Sequence, residues 1–258
     1  MLPTIEVAGQ PPRGLGFHHE LHGDDRCAIA LGVGSQTGFD IDYELADEVL
    51  PSLAAAALAG DVERGYREAA APLQALIAAH GPHDDGLPML TALTALCTAS
   101  SVELSWVGDD KAYLIRGRTI VAETREHTHW RDIGEGKVRS DWAPLLAKID
   151  PNEPWAADTL SPLGRHFRLM LGYPTRRISA DGCTPERGQF DVQPGDVLLL
   201  VSNNLHGLIG WRAGIERVLA RAAAVDAEVI LAEAHAHLRS IDPGHDPEWS
   251  GPVVLARW

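Results

Sequence analysis

The chain has 258 residues, 45% of them hydrophobic and 22% charged, a balance that supports one large core or two modest ones and excludes a disordered or fibrous chain. With 36 acidic against 22 basic residues the formal net charge is −14, which repels the phosphate backbone of nucleic acid and anionic lipid alike. Cys27, Cys97 and Cys183 form no CxxC pair, no apolar run approaches the ~20 residues of a membrane span, and no basic stretch precedes an apolar one at the N-terminus, so a reducing, cytoplasmic setting is expected.

Taken in order, residues 40–60 carry Ile41, Leu45, Val49, Leu50, Leu53 and Leu58 at helical spacing, then a run of alanines, and predict an amphipathic helix ended by Gly60. A second helix opens at Asp61 and runs through Tyr66, Ala70, Leu73, Leu76 and Ile77 to Gly81-Pro82, with Pro72 as an interruption. After the polar turn at 83–86 the texture changes to short alternating runs, predicting strands at 89–99, 102–107, 111–116 and 119–124. The breaks at 108–110 and 116–118 read as tight hairpin turns, giving an antiparallel meander. Residues 130–187, with six prolines, read as helix and loop. Strand signal returns at 190–192, and the turn Pro194-Gly195-Asp196 leads into the apolar run 197–201. Helices follow at 213–224 and 227–238, and a strand at 253–258 closes the chain. This order is α+β, without βαβ alternation or internal repeat, and is most economically a single domain over 1–258.

Several segments share the order and wording of motifs known elsewhere. The stretch Ala30-Leu31-Gly32-Val33-Gly34-Ser35-Gln36 resembles the Ala-Asp-Gly-Met-Gly-Gly-His turn of the metal-dependent Ser/Thr protein phosphatases, the type 2C or PPM family. Val107-Gly108-Asp109-Asp110-Lys111-Ala112-Tyr113 is similar to that family's Val-Gly-Asp-Ser-Arg-Ala-Tyr hairpin, and Glu126-His127-Thr128 to its Asp-His-Ser. Arg168-Leu169-Met170-Leu171-Gly172 resembles its Arg-Ala-Leu-Gly segment, and residues 194–205 its Pro-Gly-Asp strand running into Cys-Ser-Asp-Gly-Leu. The resemblance implies an α-β-β-α sandwich of two antiparallel sheets flanked by helix pairs, with a dinuclear metal centre at one end.

Such a centre holds two hard cations, Mg²⁺ or Mn²⁺, on carboxylate oxygens and activates a bridging water toward a phosphoserine or phosphothreonine. Carried over position by position, the family's carboxylates are missing here. The Arg-x-x-Asn-Glu-Asp signature falls on residues 16–21, so the phosphate-gripping arginine becomes Gly16, the glutamate stays as Glu20 and the metal aspartate becomes Leu21. The bridging aspartate becomes Leu31 beside a retained Gly32, the aspartate of Ser-Asp-Gly becomes Asn203, and the last metal aspartate becomes Trp249. A pocket stripped of these charges leaves two dications unsupported. The resemblance so read implies a catalytically inactive pseudophosphatase: no metal, no cofactor, and a protein partner such as a Ser/Thr kinase or phosphoprotein, with no nucleic acid or membrane partner.

A rival reading is an active phosphoprotein phosphatase whose ligands have moved to Asp24, Asp40 and Asp246, with Mg²⁺ or Mn²⁺ retained; a third is a purely structural subunit. In residues 18–22, strand spacing sets His18, Glu20 and His22 on one face, as a zinc site requires, although histidines on an edge strand need no metal. His235 and His237, two apart on a predicted helix, point in different directions. Trp106 reads as core, whereas Trp130, Trp142 and Trp155 fall where the family has a variable flap and could offer a partner surface if exposed.

Overall fold

The computed structural model describes residues 1–9, 17–34, 42–80, 89–128, 131–132, 175–207, 209, 211–241 and 251–258. Among them, ten strands make two antiparallel five-stranded sheets: β1 (Thr4–Ala8), β10 (Val253–Arg257), β9 (Asp196–Val201), β6 (Lys111–Arg116) and β7 (Thr119–Glu123) in one, and β2 (Phe17–His22), β3 (Cys27–Gly34), β4 (Leu90–Cys97), β5 (Ser101–Val107) and β8 (Glu186–Asp191) in the other. Both sheets lie between helices. The second is covered by α1 (Asp42–Leu58), α2 (Val62–Glu68) and α3 (Ala70–His80), and the first by α4 (Asn203–His206), α5 (Trp211–Arg221) and α6 (Ala227–Ile241). The α-β-β-α sandwich expected from the sequence is the observed architecture.

Strand alternation divides the side chains into three cores. On β3, Cys27, Ile29 and Leu31 enter the layer between the sheets with Leu93, Leu104, Leu114, Leu198, Leu200 and Val254. Ala28 and Ala30 face the other way and pack under Leu50, Leu53 and Tyr66 of the helices. Small residues on that outer face let α1 come close. A Cβ on Gly32 would stand 2.7 Å from the Thr91 carbonyl oxygen and 2.9 Å from Leu50 Cδ2, so a glycine is what permits the contact.

Several expectations change. Residues 30–34 are strand rather than turn, since β3 pairs with β4 along its whole length. The segment at 108–110 is not a hairpin: β5 and β6 belong to different sheets, and the chain crosses the sandwich there. Gly108 makes the crossing with φ 102°, and its missing Cβ leaves room for Thr91. The 116–118 hairpin does form, joining β6 to β7 with a bulge between Leu114 and Ile115. Strand β1 had no counterpart in the sequence reading. The second predicted helix divides at Ala69 into α2 and α3, and Pro72 occupies the first turn of α3, where its missing N–H costs little. Asp196 of the Pro-Gly-Asp turn is buried and receives two 2.8 Å bonds from the Arg116 guanidinium, so that motif is accounted for by the fold. Residues 133–174, and with them Trp142, Trp155 and the 168–172 segment, lie outside the described residues, as does Trp130. None of the described helices is long and apolar enough to cross a membrane.

Candidate functional site

Strand polarity gathers the resembling motifs at one end of the sandwich. β3 ends there at Gly34, β4 begins at Leu90, β5 ends at Val107, β6 begins at Lys111 and β9 ends at Val201. Because the chain crosses between sheets at 108–110, Asp109 and Asp110 are drawn inside and are only 5% and 1% exposed. Asn203, the residue after the β9 exit Ser202, closes over them. Its Nδ2 donates to both carboxylate oxygens of Asp109 at 3.1 Å each, and its backbone N–H donates to Asp110 Oδ1 at 3.2 Å.

Two adjacent carboxylates in a dry setting resist ionisation. Burial raises the Asp109 pKa to about 7, partly opposed by the Asn203 amide, while burial and then the neighbouring Asp109 charge raise Asp110 to about 8. Asp110 Oδ2, Asn203 Oδ1 and Ser202 Oγ are buried and have no hydrogen-bond partner among the described residues. His206 supports the crossing from below: its Nε2–H donates to the Asp109 carbonyl, and burial lowers its pKa to about 4, so the ring is neutral.

Two further clusters fix the crossing segment. His127 Nδ1 accepts from the Gly108 N–H at 3.1 Å, which places the ring proton on Nε2 and directs it to Glu186 Oε2 at 2.8 Å. The ring stacks on Trp106 at 6.3 Å between centroids, and desolvation lowers its pKa despite Glu186. On the outer side, the buried Lys111 ammonium meets Glu126 at 2.7 Å, Glu123 at 3.1 Å and the Thr124 carbonyl. Burial alone would raise Glu126, but Lys111 and Arg131 outweigh it and hold its pKa down to about 2. Glu126 and His127 are therefore saturated by structural partners.

The residues singled out by sequence are only partly brought together. Leu31, 0% exposed, faces the inter-sheet core, and Gly32 and Asn203 stand at the same end. Leu21 pairs with Ala28 and packs against the helix-side core, so it lies on the opposite face of the sheet from Leu31. On β2 it is His18, Glu20 and His22 that share Leu31's face, as the spacing required. His22 Nε2 is 3.6 Å from Glu20 Oε1, and no group of three His, Cys, Asp or Glu among the described residues is arranged to hold a metal ion. Asp24 is exposed in the β2–β3 turn at the far end of β3, and the seven steps from Cys27 to Gly34 span about 23 Å. It cannot reach the site, which corrects its place among relocated ligands. Gly16, Asp40, Asp246 and Trp249 lie outside the described residues. The buried pair Asp109–Asp110 escaped the sequence reading because Gly-Asp-Asp is also an ordinary turn; the signal was its position before a lysine in a strand of otherwise apolar residues.

No protein-family model matches the chain, and no curated protein matches it in sequence. Solved structures match throughout its length. Ser/Thr phosphatase Stp1 from Staphylococcus aureus superposes with a TM-score of 0.68 at 13% identity, covering 100% of this chain and 96% of its own. The Mycobacterium tuberculosis Ser/Thr phosphatase PstP/Ppp gives 0.60 at 16% identity, with 98% and 97% covered. PppA of Pseudomonas aeruginosa, a regulatory component of its T6SS, gives 0.59 at 16%, with 99% and 98% covered. The catalytic domain of PstP has also been solved in complex with 2 manganese ions. The chain has the fold of the PPM-type Ser/Thr phosphatases.

Proposed function

We propose that this protein is a non-catalytic PPM-type pseudophosphatase, a regulatory or binding module of Ser/Thr phosphorylation signalling. One contact carries the reading most directly: the Asn203 amide donates to both oxygens of Asp109. Where a second carboxylate would help hold a cation, Asn203 turns a neutral N–H group toward Asp109 and brings no charge. Leu31, sealed in the core, contributes no oxygen at the bridging position. The described residues therefore do not fit a dinuclear Mg²⁺ or Mn²⁺ centre. Burial raises both aspartates, to about 7 and about 8, so the pair carries less than its full double charge near neutrality and draws a cation less strongly.

The partner class, a Ser/Thr kinase or a phosphoprotein, rests on the fold alone and is an analogy. The rival reading, an active phosphatase with displaced ligands, draws its support from Asp109 and Asp110, the two carboxylates that remain at this end. Hydrolysis of p-nitrophenyl phosphate with and without millimolar Mn²⁺ separates the two. We expect no turnover above buffer in either condition. Mn²⁺-dependent turnover that disappears in Asp109→Asn and Asp110→Asn would overturn the proposal and assign the chemistry to that pair.

A further inference from the structure

At the end of the sandwich remote from Asn203, Cys27 opens β3 and Cys97 closes β4, and the two are direct cross-strand partners. Both side chains enter the inter-sheet core, and both are free thiols. Their spacing follows from the neighbouring turns. The Gly23 N–H donates to the Arg26 carbonyl at 2.8 Å, so 23 and 26 close the β2–β3 turn and His22–Cys27 is a non-hydrogen-bonded pair. The Cys27 backbone groups must then point toward β4. The same argument from Thr98 N–H to Ser101 carbonyl, at 2.8 Å, turns Cys97 toward β3. Cys27–Cys97 is thus a hydrogen-bonded pair, with Cα atoms about 5.5 Å apart, inside the roughly 4.4–6.8 Å range of disulfides, and with Cβ atoms near the wide end of the roughly 4.5–5.5 Å cross-strand spacing, so closing the bond draws the two strand ends together by about 1 Å.

We propose that Cys27 and Cys97 are a redox modification site that closes to a reversible disulfide within the native sheet, with small-molecule disulfides as the oxidant class. This is independent of the function argued above. The Cys97 thiol beside it lowers the Cys27 pKa, and Cys27 is taken as the first sulfur to attack. The Cys27 thiolate attacks the oxidant R–S–S–R and expels R–S⁻. The Cys97 thiol then gives up its proton and attacks the Cys27 sulfur of the mixed disulfide, expelling the second R–S⁻. The protein loses two hydrogens and the oxidant is reduced to two R–SH. Both thiols are buried, so the rate follows local opening at strand ends next to the 23–26 and 98–101 turns. Cys183 lies elsewhere, against the helix-side core, where burial raises its thiol to about 11.

The native protein is incubated with excess oxidised glutathione, quenched in acid, denatured and alkylated with iodoacetamide. One alkylated cysteine, Cys183, is expected where the reduced protein shows three, with peptide mapping joining Cys27 to Cys97 and dithiothreitol reversing the change. The oxidised form should melt about 5 °C higher, because the bond closes a long loop in the unfolded chain. Three alkylated cysteines, a linkage to Cys183, or glutathione retained on Cys27 would each overturn the proposal. So would a lower melting midpoint, since it would mean the native geometry rejects the bond. Cys183→Ser, which leaves the pair intact, should give no alkylation after oxidation; any label on Cys27 or Cys97 counts against the site.

Discussion

Exchanging Asn203 for aspartate restores the residue type of the resembled family and removes the two N–H bonds that Asp109 receives. It also sets a third carboxylate against a buried pair. We expect Asn203→Asp to cost about 2–4 kcal/mol of unfolding free energy at pH 8 and less at pH 5, measured by urea denaturation. Wild-type stability at pH 8 would show that the amide is not what holds the pair. The pH dependence has a definite sign. Asp109 and Asp110 have folded pKa values of about 7 and about 8, above the ordinary carboxylate value of 3.8, so the native state binds their protons more tightly than the unfolded state does. Their contribution is fully present below pH 4 and declines as pH rises toward 8, by at most about 1.4 kcal/mol per pH unit for each proton. Buried His206, shifted down to about 4, acts in the opposite direction between its unfolded pKa of 6.5 and 4, so the test is a difference curve. The melting midpoint of Asp110→Asn minus that of wild type should rise steadily from pH 5 to pH 8. A flat difference would mean that Asp110 is ionised throughout. At this scale Leu31 and Asn203 could be singled out from the resemblance, but not the partners Asp109 and Asp110, because burial of a turn-like Gly-Asp-Asp is decided by where the chain goes next.

Elements were legible where one local pattern decided them. The apolar run of β9 and the periodic helices α1 and α6 follow from spacing alone. The assignment of strands to sheets did not, because β5 and β6 have alternating patterns that pair equally well as a hairpin or across a sandwich, and only tertiary packing separates them. Strand β1 went unseen because five residues, TIEVA, carry too little periodicity to stand out before they pair with β10. Packing of α1 on the sheet depends on Gly32, so Gly32→Ala should cost about 1–3 kcal/mol, read as a lower urea midpoint, as its methyl is driven against Thr91 and Leu50. The β6 strand is tied to the segment after β7 through Lys111. Lys111→Met would leave Glu123 and Glu126 without their buried counter-charge, at an expected cost of about 3–5 kcal/mol. Adding Glu126→Gln should recover part of that loss; a double variant no better than the single would assign Lys111 a packing role instead.

At the scale of the molecule, the fold was readable because the motif order reported a topology, while the chemistry depended on which side chains meet at one end. A net charge of −14 acts on the whole chain as self-repulsion, and it confuses any search for bound cations. The screening length falls from about 30 Å at 0.01 M salt to about 8 Å at 0.15 M, so the melting midpoint should rise with NaCl and level off by about 0.5 M. Against that screened background a specific site becomes visible. A centre with a Kd of about 10 μM would add about 2.7 kcal/mol at 1 mM free Mn²⁺, roughly 5–10 °C for a chain of this length. We expect no rise when Mn²⁺ is added in 0.5 M NaCl at pH 7.5, because the Asn203 amide faces Asp109 without adding a charge and the Leu31 side chain offers no oxygen. A saturable rise that vanishes in Asp109→Asn would mean that the amide yields to a cation. The partly protonated pair would then be the resting state of a metal site rather than its replacement.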